Sequence, residues 1–161
     1  MALLYITGLH LHGVRSMQES IQTEENIMIK LITGKRGSGK TKILIDAIHE
    51  AEKQSKGNVV AIQKGSALNT DITHKVRLIN IEDYAIEGVD AFYGFIAGIL
   101  SSDHDCTDIF VDATLKITGR DYVKVGEMFE KLAKISADTT ITCTISADNS
   151  ELSDNIKNFI V

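Results

Sequence analysis

The sequence has no proline, only two cysteines and only four arginines, and each scarcity removes a class of protein. With no proline, no internal repeat and no low-complexity tract, nothing marks a stiff linker or a second domain. Cys106 and Cys143 stand far apart with no Cys-x-x-Cys spacing, which speaks for reduced thiols and against a zinc site or a disulfide scaffold. Arg15, Arg36, Arg77 and Arg120 are too few to build an arginine-rich lid of forked phosphate clamps. No apolar run approaches the ~20 residues that a bilayer span requires, and the short apolar opening Ala2 to Ile6 has no basic stretch before it. We therefore expect a cytoplasmic protein with no membrane partner. The 17 basic residues are dispersed among 22 acidic ones for a net charge of −5, so there is no cationic stripe for a duplex and nucleic acid is not indicated.

What is present is an ordinary globular composition. Hydrophobic residues make up 43% and charged residues 24% of 161, enough to bury the core of one domain without metals or disulfides. The chain divides into residues 1–27 and 28–161. The first part has no clear period, and its Gln18 to Asn26 stretch is polar; it reads as an extension or as a strand added to a sheet edge. Thr23-Glu24-Glu25-Asn26-Ile27 is also what a purine-rich ribosome-binding sequence such as GGAGG gives when read through as codons. We expect the natural protein to start at Met28; full activity lost from a chain beginning there would overturn this.

From Met28 the pattern alternates. Met28 to Thr33 is a short apolar run bounded by glycine, as a buried parallel strand requires, and Ile43, Leu44, Ala47, Ile48 and Ala51 then recur at helical spacing. Val59 to Ile62 predicts a second strand, and Val76 to Ile81 a half-buried edge strand. Val89 to Leu100 predicts a helix that is apolar nearly all round, hence deeply buried or covering an interface, with Gly94 and Gly98 admitting another backbone. Ile109 to Val111 is a strand ending in Asp112. Tyr122, Val125, Phe129 and Leu132 mark an amphipathic helix capped by Asp121. Ile141 to Ile145 is the next strand, followed by a helix capped at Asn149 or Ser150 and the apolar run Phe159 to Val161. This order predicts an α/β fold, a three-layer α/β/α sandwich on a mainly parallel sheet.

One motif carries chemistry. Gly34-Lys35-Arg36-Gly37-Ser38-Gly39-Lys40-Thr41 matches G-x-x-x-x-G-K-[ST], after a buried strand and before a helix. Glycines there leave backbone N–H groups free to wrap phosphates, and the next helix points its positive end at them. Lys40 is expected to reach the β- and γ-phosphates, and the Thr41 hydroxyl to ligate Mg²⁺. A strand-end carboxylate must complete the Mg²⁺ shell. Asp112, after the more apolar strand, is preferred to Glu82 or Asp83, which suit a solvated loop.

On these residues the segment 28–161 resembles the Walker-type P-loop NTPases, and its layout resembles their RecA-like, additional-strand division. The resemblance implies that the Ile141 strand lies between the P-loop strand and the Asp112 strand, with Phe159 to Val161 on the P-loop strand's other flank. Counting the five core strands and leaving Val76 to Ile81 as an added edge, the implied order is 5-1-4-3-2. It also implies bound ATP and Mg²⁺, with Lys40 and Asp112 as catalytic residues. Members of that division usually place a glutamate beside the Walker B aspartate, whereas Asp112 is followed by Ala113 and Thr114. Glu127, Glu130 and Glu151 are the alternatives, and Ser146 or Asp148 the polar residue that senses the γ-phosphate. A weaker resemblance, to type II thymidine kinases, lacks both the acidic residue at Ala113 and the four zinc cysteines. His104-Asp105-Cys106 reads as a loop, since adjacent residues do not converge on one ion.

Three functions follow as expectations. One is an ATPase of low intrinsic activity completed by a second subunit or protein partner, with Arg36 or Arg120 as a finger acting in trans. A second is a small-molecule or nucleoside kinase whose acceptor lies against Gln63 to Lys75 and Leu115 to Asp121. The third is a non-catalytic module whose partner affinity depends on ATP.

Overall fold

A computed structural model describes residues 28–161; the reading of residues 1–27 lies outside the described residues. The chain lays down β1 (Ile29–Gly34), α1 (Lys40–Gln54), β2 (Asn58–Gln63), β3 (Arg77–Asn80), α2 (Val89–Ser102), β4 (Cys106–Val111), α3 (Thr114–Thr118), α4 (Tyr122–Ile135), β5 (Thr140–Ser146) and α5 (Asp154–Lys157). The five strands form one sheet in the order β1-β5-β4-β2-β3, and every pairing is parallel. Ile160 adds an isolated parallel bridge to Leu31 on the free side of β1. Each neighbour relation in the order implied by the sequence is realised, with β3 as the added edge.

Alternation along the strands explains the three layers, because successive side chains point to opposite faces. Ile29, Leu31, Val60, Ile62, Ile109, Val111, Ile141, Cys143 and Ile145 face a large core closed by α2, α3, α4 and α5. Val59, Ala61 and Phe110 face the other way and pack with Leu44 and Ile48 of α1. Leu68 pins the loop between β2 and β3 to that second core and is fully buried. Gln63 holds the same loop: its side-chain carbonyl accepts the Leu68 N–H at 2.8 Å.

Two readings are corrected. Of the two alternatives for the Val89–Ser102 helix, deep burial or the covering of an interface, deep burial does not hold: only Phe92 and Ile96 are enclosed, and a Cβ built on Gly94 or Gly98 meets nothing within 4 Å. An apolar helix lying across one sheet face can bury only the stripe beneath it, so its remaining apolar side chains are half-covered. The last helix does not start at Asn149 or Ser150 but at Asp154, with Ser153 as its N-cap. Asp148 closes a local turn instead, its side chain accepting from the Ser150 N–H at 3.0 Å and hydroxyl at 2.8 Å.

Candidate functional site: a phosphate cleft at the strand ends

A parallel sheet gathers all strand C-termini at one edge, and ligands of open α/β sheets sit there. At this edge β1 runs into the loop Gly34 to Gly39, and α1 begins at Lys40. Gly37 and Gly39 hold φ of 82° and 89°, which side chains other than glycine adopt only with strain. Gly39 is the N-cap of α1 and offers no side-chain bond to it, and the first turn of α1 holds no acidic residue. The amides and dipole of this 15-residue helix are therefore uncompensated and suited to an anion.

Lys40 is 7% exposed, with its Nζ donating to the Lys35 carbonyl at 2.8 Å and to Ser38 Oγ at 3.3 Å. Burial lowers its pKa from the ordinary lysine value, and the Asp112 carboxylate pulls it partly back. Asp112 lies just past the end of β4, 6% exposed, its N–H bonded to the Ile62 carbonyl at 2.9 Å. Its Oδ1 accepts from Thr41 Oγ1 at 3.2 Å, so the two residues singled out for a metal meet across 71 positions of sequence. Glu82 and Asp83 stand exposed on a 3₁₀ turn after β3 and line no part of this cleft.

Thr144 was not anticipated as a site residue. It is 2% exposed on β5, the strand inserted between β1 and β4; its Oγ1 donates to Asp112 Oδ1 at 2.9 Å and accepts the Ala113 N–H at 2.8 Å. Ala113 turns the chain at φ 56°, directly after Asp112. A signal existed in the alternation of β5, where Ile141, Cys143 and Ile145 face the large core and Thr142 and Thr144 are buried on the opposite face. A buried hydroxyl at the end of an interior strand needs a partner, and here the partner is the aspartate.

The cleft so formed has a volume of about 570 Å³. Arg36, Lys40, Lys116 and Arg120 line it, against Asp112 as its single carboxylate among the described residues. The proposed substitutes for the missing glutamate lie elsewhere. Glu127 faces a separate cleft of about 670 Å³ between α2 and α4 that contains no P-loop residue. Glu130 is exposed on α4, and Glu151 is occupied by the Asp148 N–H at 2.9 Å. Ser146 lines the cleft, while Asp148 stands beside Lys35 at 3.8 Å. The Asp148 carboxyl is held below the ordinary aspartate range, first by the Ser150 N–H and then by its hydroxyl.

The donors fit Mg²⁺. Thr41 and Asp112 offer hard oxygen ligands, and no group of three or more His, Cys, Asp or Glu among the described residues could cage an ion alone. That is the pattern for an ion that keeps waters and is shared with phosphate oxygens. None of the described helices is long and apolar enough to cross a membrane.

Sheet, loop and layers together make this the fold of a P-loop NTPase core. No family model matches the chain, and no curated protein matches it. Among solved structures it is similar to the pCW3 conjugation coupling protein TcpA, in its monomer form with ATPγS, at 16% identity and a TM-score of 0.51. The match covers 81% of this chain and 46% of that one, so the chain spans about half of TcpA's length, and the likeness concerns the fold.

Proposed function

We propose that this protein binds MgATP in the cleft between the Gly34–Thr41 loop and Asp112, with slow intrinsic hydrolysis completed by a second subunit or a protein partner. The observation that carries the reading is the Thr41–Asp112–Thr144 chain of hydroxyl and carboxylate beside Lys40. Lys40 would neutralise β- and γ-phosphate oxygens, the loop amides and the start of α1 would wrap the phosphates, and Thr41 with Asp112 would hold the ion. When bound, Mg²⁺ supplies charge neutralisation on those oxygens. The choice of adenine nucleotide draws support from the ATPγS bound to TcpA. We also read the strand inserted between β1 and β4 as the mark of the RecA-like division.

Slow turnover follows from the single carboxylate in the cleft: once Asp112 is engaged with the metal, no second acid among the lining residues is left to orient water. The same observation favours a second reading, a switch that binds ATP and changes its partner affinity without turnover. Phosphate release from MgATP, measured beside nucleotide binding for the wild type and Lys40→Ala, separates the two. Release that disappears in Lys40→Ala supports an ATPase, and Lys40-dependent binding without release supports the switch. Wild-type protein that binds no nucleotide refutes both.

A further inference from the structure

We propose that Arg120 is a γ-phosphate clamp supplied in cis, so that the cleft itself tells a nucleoside triphosphate from a diphosphate. The proposal rests on the nucleotide reading above and departs from the expectation of an arginine acting in trans.

Gly119 ends α3 at φ 82°, and Arg120 follows it in the turn before α4. Its Nη1 donates to the Tyr122 hydroxyl at 3.2 Å and to the Ser146 backbone carbonyl at 3.3 Å. Ser146 is the last residue of β5 and stands in register with Gly34, the first residue of the phosphate loop. Neighbouring strands lie about 4.8 Å apart, so the guanidinium sits over the end of β5, with the loop on one flank and the Asp112 strand on the other. The terminal phosphate of a triphosphate held by Lys40 and Asp112 has to project over that strand end.

The manner in which Arg120 is held matters as much as its place. Both of its partners are neutral oxygens, and it forms no ion pair among the described residues. Its charge is undiminished, and Nη2 and Nε make no hydrogen bond to any described residue. Two adjacent N–H groups in a fixed plane match two oxygens of one phosphate. Lys116, the other cation on this wall, is exposed, and its side chain has no anchor among the described residues; its bonds are made by its backbone, the N–H to the Ala113 carbonyl at 2.9 Å and the carbonyl to Lys64 at 3.0 Å. Arg36 and Lys40 belong to the loop and serve whichever phosphates the loop wraps. Arg120 alone combines a pinned fork with a position beyond them.

The test is equilibrium binding of MgATPγS and MgADP to the wild type and to Arg120→Ala, Arg120→Lys, Tyr122→Phe and Lys40→Ala. Titration calorimetry is run at concentrations where sedimentation shows a monomer. Arg120→Ala is expected to weaken MgATPγS about tenfold or more, since a charge-assisted bidentate contact is lost, and to change MgADP less than about twofold. Arg120→Lys should recover part of the loss. Tyr122→Phe should lose part of the triphosphate preference alone, which a purely structural role would not produce. Arg120 is exposed, so its truncation removes no core packing, and unchanged circular dichroism verifies this. Equal loss for both nucleotides, no loss for either, or an effect seen only in assembled protein overturns the clamp in cis while leaving Lys40-dependent binding intact. Wild-type protein that binds neither nucleotide overturns the nucleotide reading, and the clamp with it.

Discussion

Replacing Thr144 by valine keeps shape and volume and removes one hydroxyl from the middle of the sheet. Two bonds go with it: the donation to Asp112 Oδ1 at 2.9 Å and the acceptance of the Ala113 N–H at 2.8 Å. A bond to a charged acceptor contributes about 1.5–3 kcal/mol, and a donor left unpaired in a buried place costs about 1–3. Ala113 is only half-buried and water can partly replace its lost acceptor, while valine avoids the cost of burying a hydroxyl, so both figures fall toward their lower ends. We expect a net loss of about 2 kcal/mol, or about 4–8 °C in melting temperature for a domain of this length. Thermal unfolding followed by circular dichroism reads it, with Thr144→Ser as the control that keeps the hydroxyl. Asp112 should also be less well fixed toward Thr41, so the gain in melting temperature from MgATP should shrink more than the gain from ATP with chelator. A valine variant melting within about 1 °C of wild type, with its Mg²⁺-dependent gain intact, would refute the view that Thr144 positions the aspartate.

Gly94 and Gly98 are exposed in mid-helix with open space at each Cβ, so Gly94→Ala and Gly98→Ala should each stabilise the protein by about 0.5–1 kcal/mol in denaturant unfolding. Destabilisation would mean that another backbone does cover them. Burial pushes the Cys143 thiol up to about 12 and, with help from Asp103, the Cys106 thiol up to about 11. Neither should react with a thiolate-selective disulfide reagent at pH 8 until the protein is unfolded. Because the unfolded thiols lose their protons first, stability should fall as pH rises above about 9, by at most about 1.4 kcal/mol per pH unit for each thiol. Cys143→Ala should flatten that decline, and an unchanged slope would contradict the assignment.

Much of this molecule is legible along the chain because its strands are apolar and its glycine-rich loop is local. Eight consecutive residues define the loop, and apolar runs such as Val59 to Ile62 and Ile109 to Val111 leave a buried parallel strand as the simplest reading. Asp112 could be ranked over Glu82 and Asp83 because its strand is the more apolar, and the buried and exposed positions of these residues follow that ranking. Thr144 stayed hidden since threonine also fits a strand by propensity alone, and its partner lies 32 positions away. The breadth of the apolar face on Val89–Ser102 invited a buried helix, because residue type does not say how much sheet lies beneath. The late start of α5 reflects competition: Asp148 and Ser150 satisfy one another in a turn, and the helix begins only after Ser153, whose hydroxyl is spent on the Tyr122 carbonyl.

The sheet order also dictates when this cleft can come into being as the chain is made. The glycine-rich loop and β1 are among the first described segments to be made, yet among the described residues β1 has no strand beside it until β5 arrives, and its other flank meets Ile160. The β2, β3 and β4 strands can pair as they emerge, since β2 touches both of the others. The glycine-rich loop and its strand, by contrast, find their partner among the described strands only in the last of them. Thr140–Ser146 pairs with both β1 and β4 and carries Thr144 to Asp112. A nascent chain halted before Thr140 thus carries the whole Gly34–Thr41 loop and Asp112 without the strand that joins them.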